Sequence, residues 1–387
     1  MITLKKDKFL YLQAGGPTSV INASFVGLYE EAKRKGAKVY VSRYGLSSLL
    51  DGNVEEIEHI DTEKLLKRPG SYFGSARIKL NTKEQLEKLI STLKDNDIHK
   101  LFLNGGNDSM DSALKIAEAA SSLNYQLQVI GIPKTIDNDL KETDHTPGYA
   151  SASKFIINAV ASIIIDDLTY REGRVNIIEI MGRDSGYLTL AGSLVALNGL
   201  KADLIYIPEK SFSKDVFLDE VKSCYSKKKR CTVLVSEGIR DDNGHLIASE
   251  NTQDAFGNTQ LGGVSHQLSM LVSSHGFKTR AIELSVLQRS AFYLTSPVDV
   301  KESYEAGKAA FDFAEASQTR VMVSFKRVSD APYAIKYEPV DLKSVAKEPA
   351  KMRPEFIPQI NSDIRPEFIN YLKPLLGENY LEQYYDL

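Results

Sequence analysis

The fold is decided by the stretch Lys100-Leu101-Phe102-Leu103-Asn104-Gly105-Gly106, in which an apolar run ends at a pair of glycines. The run predicts a buried strand, helical periodicity continues to about Ala119, and Gln128 to Ile132 predicts the next strand. The same order of strand, glycine turn, helix and strand occurs between Phe9 and Val41. Strands that alternate with helices predict a parallel sheet covered by helices on both faces.

A second series of alternating elements begins at Tyr149. It predicts a helix to Ile165, a strand from Val175 to Ile180 and further elements as far as Val235. We therefore predict an α/β protein with two Rossmann-like lobes, mostly parallel sheets and a C-terminal arm. The expected bounds are residues 1–146 with about 290–345 for the first lobe, 147–289 for the second and 346–387 for the arm.

The composition is that of an ordinary globular protein, with 42% hydrophobic and 26% charged residues over 387 positions. A formal net charge of -3 excludes a strongly basic nucleic-acid-binding protein. Cys224 and Cys231 are the only cysteines, which excludes a disulfide framework and fits a reducing compartment. The apolar stretch from Phe155 to Ile165 is too short and too polar to span a bilayer, and the N-terminus does not resemble a signal peptide. We expect a cytoplasmic protein that binds neither nucleic acid nor membranes.

Two glycine pairs, Gly15-Gly16 and Gly105-Gly106, lie where a strand ends and a helix begins. Ligands bind at this end of open α/β sheets, because helix N-termini expose backbone amides. A phosphate cradle and a simple tight turn explain Gly15-Gly16 about equally well. Asp108, just after the second pair, fits either a functional carboxylate or a helix N-cap. The sequence contains neither a P-loop nor a dinucleotide-binding fingerprint.

The segment Pro133-Lys134-Thr135-Ile136-Asp137-Asn138-Asp139 follows a third strand and indicates catalysis most strongly. Two acids and a lysine behind a rigid proline turn are difficult to explain by packing. No histidine lies within the segment, so a general base there must be a carboxylate. Met181-Gly182-Arg183 and Glu237-Gly238 also follow predicted strands. Polar residues at these strand ends predict one shared site.

Taken in order, these motifs closely resemble the phosphofructokinase family over roughly residues 9 to 310. The matching motifs are Gly15-Gly16, Gly74-Ser75-Ala76-Arg77, Gly105-Gly106-Asn107-Asp108-Ser109, Pro133-Lys134-Thr135-Ile136-Asp137-Asn138-Asp139, Met181-Gly182-Arg183, Ser236-Glu237-Gly238, and Arg280 with Leu287-Gln288-Arg289. The C-terminal arm lies outside the match. The resemblance implies a phosphofructokinase-like fold, in which the first lobe binds the phosphoryl donor and the second binds fructose 6-phosphate.

The resemblance also implies a role for each matching residue. Asp137 corresponds to the base that takes the proton from the sugar's 1-hydroxyl, and Arg77 is placed to neutralise the transferring phosphoryl group. The implied catalytic residues are Asp137, Asp139, Lys134, Arg77 and Arg183. The implied donor-binding residues are Gly15, Gly16, Arg77, Asp108, Ser109 and Lys134. The implied substrate-binding residues are Thr135, Asp137, Arg174, Met181, Gly182, Arg183, Glu237, Arg280, Val286, Leu287, Gln288 and Arg289.

The arginines have different implied positions relative to the sugar phosphate. Arg289 resembles the arginine that binds the 6-phosphate within one subunit. Arg174 and Arg280 resemble arginines that reach it from an adjacent subunit. The resemblance therefore implies a homo-oligomer, either a homodimer or a homotetramer.

Two residues favour pyrophosphate over ATP as the donor. ATP-using members of the family usually carry glycine where Asp108 stands, and often where Lys134 stands. A carboxylate at Asp108 would repel the α-phosphate of a nucleotide, and Lys134 would compensate the charge of the leaving phosphate. Together they resemble the pyrophosphate-dependent branch, whose reaction yields fructose 1,6-bisphosphate and phosphate and is readily reversible.

Two positions depart from the family pattern. Asn107 replaces the acid that usually contributes to the Mg²⁺ site, so Asp108 is expected to be the metal's carboxylate, with Asn107 as a weaker ligand. Val286 replaces a histidine or tyrosine that would hydrogen-bond the sugar phosphate. Two other functions stay open: an ATP-dependent 6-phosphofructokinase, and a non-catalytic regulatory or sugar-phosphate-sensing subunit.

Overall fold

The computed structural model describes residues 8–248, 263–346 and 348–381. In chain order its strands are β1 (Lys8–Gln13), β2 (Lys38–Val41), β3 (Glu55–Glu56), β4 (Lys100–Gly105), β5 (Gln128–Pro133), β6 (Val175–Ile180), β7 (Leu204–Tyr206), β8 (Cys231–Ser236), β9 (Thr279–Glu283), β10 (Val321–Asp330) and β11 (Tyr333–Asp341). Its α-helices are α1 (Ile21–Arg34), α2 (Leu46–Leu50), α3 (Thr62–Leu66), α4 (Lys83–Asp95), α5 (Asn107–Ser122), α6 (Tyr149–Leu168), α7 (Tyr187–Ala191), α8 (Lys214–Lys228), α9 (Val264–Ser273), α10 (Leu287–Ser290), α11 (Pro297–Glu315), α12 (Leu342–Val345) and α13 (Pro366–Leu376). Short 3₁₀ helices lie at Gly192–Asn198, Phe292–Leu294 and Pro354–Phe356.

The described residues form two compact units, each with its own sheet. Unit 1 consists of the described residues up to Ile136, then Leu140–Gly148 and Pro297–Ala350. Unit 2 consists of Asp137–Asp139, Tyr149–Ser296 and the described residues from Lys351 onward. The predicted α/β architecture of alternating strands and helices is confirmed.

Unit 1 is built on a seven-stranded sheet with the order β11-β10-β5-β4-β1-β2-β3. The pairs β1–β2, β1–β4 and β4–β5 are parallel, as the sequence predicts, and β10 also pairs with β5 in parallel. The edges are antiparallel, because β3 pairs with β2 and the β10–β11 hairpin closes the other side. The sequence did not predict this hairpin. It lies in the part of the chain that returns to unit 1 after α10.

Helices cover both faces of this sheet, and two of them approach closely enough to require glycine. A Cβ atom on Gly27 of α1 would lie 1.9 Å from the carbonyl oxygen of Tyr304 in α11. A Cβ on Gly307 of α11 would lie 1.8 Å from the carbonyl oxygen of Ser24. Real side chains never approach so closely, so these glycines fix α11 against α1 and anchor the returning chain to unit 1.

Unit 2 is built on a four-stranded parallel sheet with the order β7-β8-β6-β9. Its strands are apolar, and β6 and β8 are buried along their whole length. This continuous burial is typical of a parallel sheet that is covered on both faces.

The long helix α6 of unit 2 differs from the sequence-based expectation of a short apolar stretch. It has 20 residues, and by length and composition it is the one described helix that could cross a membrane. In the structure, 61% of its apolar window is buried inside the protein. It therefore packs as a core helix of unit 2.

Most of the predicted C-terminal arm, residues 346–387, clusters with unit 2. Tyr371 of α13 stacks against Tyr149 of α6 with ring centroids 6.4 Å apart. Phe368 of α13 lies 6.4 Å from Tyr187 of α7, again between ring centroids. These aromatic contacts explain why the arm joins this unit. Residues 290–296, predicted for the first lobe, also belong to unit 2.

Candidate active site

The carboxyl ends of β1, β4 and β5 bring the predicted donor-binding residues of unit 1 together. Gly105 pairs with Pro133 in the sheet, and the Lys134 amide donates to the carbonyl oxygen of Gly105 at 3.0 Å. The buried Lys134 ammonium donates to the carbonyl oxygen of Gly16 at 2.7 Å. The predicted grouping of both glycine pairs with Lys134 is therefore present in the structure.

Gly15 has a backbone conformation that few other residues adopt. Its φ angle is +77°, and a Cβ atom there would lie 3.3 Å from Lys134 Nζ. The hydroxyl of Ser75 donates to the Gly15 carbonyl at 2.7 Å, which joins the segment Gly74–Arg77 to this turn. Arg77 follows with an exposed side chain. The turn thus places a buried cation beneath it and an arginine-bearing segment beside it.

Asp108 is not the cap of α5. The N-cap residue is Gly106, and no side chain caps this helix. Asp108 lies in the first turn with an exposed side chain, whereas Ser109 is buried. The positive end of the helix dipole favours a carboxylate at this position, but the helix does not need it for a hydrogen bond. The alternative interpretation of Asp108 as an N-cap is therefore excluded.

Asn107 and Asp108 offer oxygen donors of the kind that Mg²⁺ prefers. Proteins commonly hold Mg²⁺ by one or two carboxylates, with water and substrate phosphates completing the shell. Among the described residues, the three His, Cys, Asp or Glu side chains whose ligand atoms all lie within 4.8 Å are Asp203, Cys224 and Cys231. Two sulfur donors do not suit Mg²⁺. The oxygen donors at the start of α5 fit this ion better than that cluster does.

In unit 2, the ends of β6 and β8 bring Met181-Gly182-Arg183 beside Glu237. The Gly182 amide donates to Glu237 Oε1 at 3.2 Å. A Cβ on Gly238 would lie 1.9 Å from the carbonyl oxygen of Arg183, so the two turns are in direct contact. These predicted sugar-binding residues therefore form one group.

Glu237 has a perturbed carboxyl group. Burial and, next, the nearby charge of Asp137 raise its pKa to about 7, against the opposing effects of the Gly182 amide and Arg183. A carboxyl that titrates near neutrality beside a second carboxylate is typical of a functional site. Glu237, Asp137 and Arg183 are thus electrostatically coupled, as expected for residues that share one ligand.

The segment Asp137–Asp139 is held by two side chains that the sequence did not indicate. The Ser185 hydroxyl donates to the carbonyl oxygen of Asp137 at 3.0 Å. The buried side-chain amide of Asn138 donates to the Tyr371 hydroxyl at 2.8 Å. Asp137 and Asp139 on either side are partly exposed. Thr135, before them, lies in unit 1, where its amide donates to the carbonyl of Pro147 at 3.3 Å and its carbonyl accepts from the Thr146 hydroxyl at 2.7 Å.

The side chains of the predicted substrate-binding segment at residues 286–289 differ in how far they are exposed to solvent. Val286 and Leu287 are half exposed, and Arg289 is partly exposed. Gln288 is buried, and its side chain accepts from the Met181 amide at 3.1 Å and donates to the Ser285 carbonyl at 3.2 Å. Gln288 therefore positions Met181 through the backbone and has both side-chain groups engaged within the protein.

Arg174 and Arg280 lie at the other end of this sheet. Arg174 directly precedes β6, and Arg280 is paired with Asn176 near the start of the same strand. Arg280 forms an ion pair with Asp166 at 3.1 Å. Met181 follows β6, so at about 3.3 Å per residue the two ends are roughly 20 Å apart. The structure does not bring these arginines to Arg183 and Glu237 within one chain.

One α/β unit holds glycine turns over a buried lysine, and the other holds the neighbouring carboxylates Asp137 and Glu237; these features are typical of phosphoryl-transfer proteins. The chain belongs to the phosphofructokinase family, whose model ("Phosphofructokinase") matches residues 8–314. The predicted family, including its pyrophosphate-dependent branch, is confirmed.

Similar proteins cover nearly the whole chain. The chain is 38% identical to a pyrophosphate--fructose 6-phosphate 1-phosphotransferase of Xanthomonas campestris, over 96% of this chain and 92% of that protein. It is 35% identical to a protein of the same name from Halomonas elongata, with the same coverage. The crystal structure of pyrophosphate-dependent phosphofructokinase from Nitrosospira multiformis superposes with a TM-score of 0.86 at 32% identity, over 96% of this chain and 92% of that one. The similarity therefore includes the C-terminal arm, which the family model does not reach.

Proposed function

We propose that this chain catalyses the Mg²⁺-dependent, reversible transfer of a phosphoryl group from pyrophosphate to the 1-hydroxyl of fructose 6-phosphate. The products are fructose 1,6-bisphosphate and phosphate. The choice of pyrophosphate as the donor rests on one observation. Asp108 is an exposed carboxylate in the first turn of α5, and it does not cap the helix. A negative charge there repels the α-phosphate of a nucleotide, whereas pyrophosphate has no third phosphate to repel.

Lys134 supports the same choice of donor. Its ammonium is buried and lies 2.7 Å from the Gly16 carbonyl oxygen, beside the glycine turns that we assign to the donor. Phosphoryl transfer is accelerated mainly by positioning and by charge stabilisation. A fixed cation at this position stabilises the negative charge that accumulates on the leaving phosphate.

The acceptor side of the reaction is assigned to unit 2. Asp137 takes the proton of the sugar's 1-hydroxyl, the 1-oxygen bonds to phosphorus, and the bond from phosphorus to the bridging oxygen breaks. Glu237 accepts hydrogen bonds from the sugar, and Arg183 compensates charge beside it. Mg²⁺, which Asp108 and Asn107 would hold, would neutralise charge on the pyrophosphate oxygens.

We also propose that the enzyme works in the cytoplasm as a homodimer or homotetramer. Arg174 and Arg280 lie at the end of the unit 2 sheet that is opposite to Arg183 and Glu237. An arginine side chain cannot span roughly 20 Å, which is the length of the strand between them. The two arginines can therefore contribute to a 6-phosphate site only in a neighbouring subunit.

The test is a comparison of donors with fructose 6-phosphate and Mg²⁺. Wild type should use pyrophosphate and release phosphate, with little or no activity on ATP. Asp108→Gly should gain ATP use and need more Mg²⁺ with pyrophosphate. Asp111→Gly is the matched control, because it places glycine in the same helix and removes an acid that pairs with Lys115 instead. Both variants replace an aspartate of α5 by glycine, so any loss of helix propensity is similar in the two.

Each alternative function gives its own result in this assay. A wild-type preference for ATP would refute the pyrophosphate assignment. Binding of fructose 6-phosphate without turnover of either donor would identify a regulatory or sensing subunit. If Asp108→Gly behaves as Asp111→Gly does, the donor is selected by other residues.

A further inference from the structure

The catalytic segment of unit 2 contains a residue in an uncommon backbone conformation. Asn138, between Asp137 and Asp139, has a φ angle of +57°. Asparagine tolerates this left-handed region better than most residues, but the conformation still needs support from its surroundings. The direction of both neighbouring carboxylates depends on it, because a change in these backbone angles turns the adjacent side chains.

The support comes from the C-terminal arm. The Asn138 side-chain amide donates to the hydroxyl of Tyr371 at 2.8 Å. Asn138 is 6% exposed and Tyr371 is 4% exposed, so this hydrogen bond is shielded from water. Buried hydrogen bonds between side chains fix geometry more strongly than exposed ones, because water does not compete for either partner.

Tyr371 is itself held in place on several sides. The Arg353 guanidinium lies over its ring, 4.9 Å from the centroid, and Phe356 lies 5.0 Å away between ring centroids. Tyr149 and Tyr187 pack at 6.4 and 6.1 Å, again between centroids. This packing leaves the ring little freedom, so its hydroxyl is a fixed point relative to unit 2.

The helix that carries Tyr371 is anchored near its end. The Ser296 hydroxyl donates to the carbonyl of Leu375 at 2.6 Å, and the Ser296 amide donates to the Ser151 hydroxyl of α6 at 3.1 Å. A second contact joins the arm to α6, where the Asn158 amide donates to the Tyr380 carbonyl at 2.8 Å. The arm is therefore fastened to the core of unit 2 by two contacts that follow Tyr371 in the chain.

We propose that Tyr371 is a positioning residue for catalysis: its hydroxyl holds Asn138 in the left-handed conformation and so sets the direction of the Asp137 and Asp139 carboxylates. The Ser185 hydroxyl on the Asp137 carbonyl holds the other side of the same segment. The inference rests on the proposed function. It gives the arm, which lies beyond the family-model match at residues 8–314, a role in the reaction.

The decisive variant is Tyr371→Phe, which removes only the hydroxyl and keeps the ring packing. Its kcat with pyrophosphate should fall about 10- to 100-fold, the usual effect of a misplaced catalytic group. The KM values for fructose 6-phosphate and pyrophosphate should stay within about twofold, because the binding residues are untouched. Tyr206→Phe is the matched control. Tyr206 is also a buried tyrosine of unit 2, and its hydroxyl bonds Glu220, away from the catalytic segment.

A second substitution separates positioning from general stability. Asn138→Gly keeps the left-handed conformation accessible and removes the group that Tyr371 holds. Adding Tyr371→Phe to Asn138→Gly should then lower kcat by less than about twofold, because the two residues act through one contact. Equal losses from Tyr371→Phe in both backgrounds would overturn the proposal. So would an unchanged kcat in Tyr371→Phe.

The two proposals fail in different ways. If wild type does not transfer from pyrophosphate, the proposed function fails and this inference fails with it. If wild type is active and Tyr371→Phe is equally active, only the positioning role is refuted. Should Tyr371→Phe not fold, the Asn138→Gly variant alone decides, because an unchanged kcat there shows that the contact is not needed.

Discussion

His145 makes the stability of unit 1 dependent on pH. It is almost completely buried, and its two ring nitrogens lie 2.9 Å from Asp144 and 2.8 Å from Glu302. Burial lowers its pKa, but the charge of Glu302 and the hydrogen bonds to both carboxylates outweigh this and raise the pKa from 6.5 to about 9. Arg327 pairs with Asp144 at 3.0 Å, and the Tyr333 hydroxyl donates to Glu302 at 2.7 Å, so both carboxylates are held in place beside His145.

The sign and the size of the effect follow from this shift. The folded state binds the His145 proton more tightly than the unfolded state, whose pKa is near 6.5. The contribution is therefore fully present below about pH 6.5 and is lost as the pH rises through about 9. A shift of about 2.5 pKa units corresponds to about 3 kcal/mol, lost at about 1.4 kcal/mol per pH unit. Burial and the charge of Glu302 raise the pKa of Tyr333, so Tyr333 stays neutral throughout this range.

The measurement is urea unfolding between pH 6 and pH 9, followed by circular dichroism because the chain has no tryptophan. The difference in unfolding free energy between wild type and His145→Gln should shrink by about 3 kcal/mol from the lowest to the highest pH. His99→Gln, at an exposed histidine of the same unit, is the control and should follow wild type at every pH. A constant difference between wild type and His145→Gln would refute the reasoning.

Two further predictions concern the reaction. Asp137→Ala should lower kcat by about 10²–10⁴ with little change in the KM for fructose 6-phosphate, in steady-state kinetics with pyrophosphate; a near-normal kcat would remove Asp137 from the role of base. Arg280→Ala and Asp137→Ala, each inactive alone, should regain activity when their subunits are exchanged, because hybrid oligomers contain sites with both residues intact. Verified exchange without recovery would count against a shared site.

The sequence predicted the parallel core of the fold well, and the reason lies in its strands. The segments at Phe9, Lys100 and Gln128 are short apolar runs bounded by glycine, a pattern that buried parallel strands need. The β10–β11 hairpin was missed, because its outer half is only partly buried and lacks a continuous apolar run. The sequence did not indicate which unit the arm packs against, because its aromatic residues show periodicity but not their partners.

In the candidate site, too, the residues with a local sequence signal were predicted and those defined by long-range contacts were not. Motifs at strand ends indicated Lys134, Asp137, Arg183 and Glu237, because polar residues at those positions have few structural reasons to be there. Ser185 and Tyr371 carried no signal, since each acts through one long-range hydrogen bond that only the folded chain shows. Residues that touch a substrate can thus be predicted from local pattern, whereas residues that position them depend on tertiary contacts.

The short stretch of chain between Lys134 and Asp137 limits how far apart these two residues can lie. Lys134, assigned to the leaving phosphate, belongs to unit 1, and Asp137, assigned to the sugar hydroxyl, belongs to unit 2. Only Thr135 and Ile136 separate them, so their Cα atoms cannot be more than about 11 Å apart in any conformation of the backbone. Sheet pairing fixes the backbone beside Lys134 within unit 1, and Ser185 and Tyr371 fix the Asp137–Asp139 segment within unit 2, so each of these groups is positioned by contacts of its own unit.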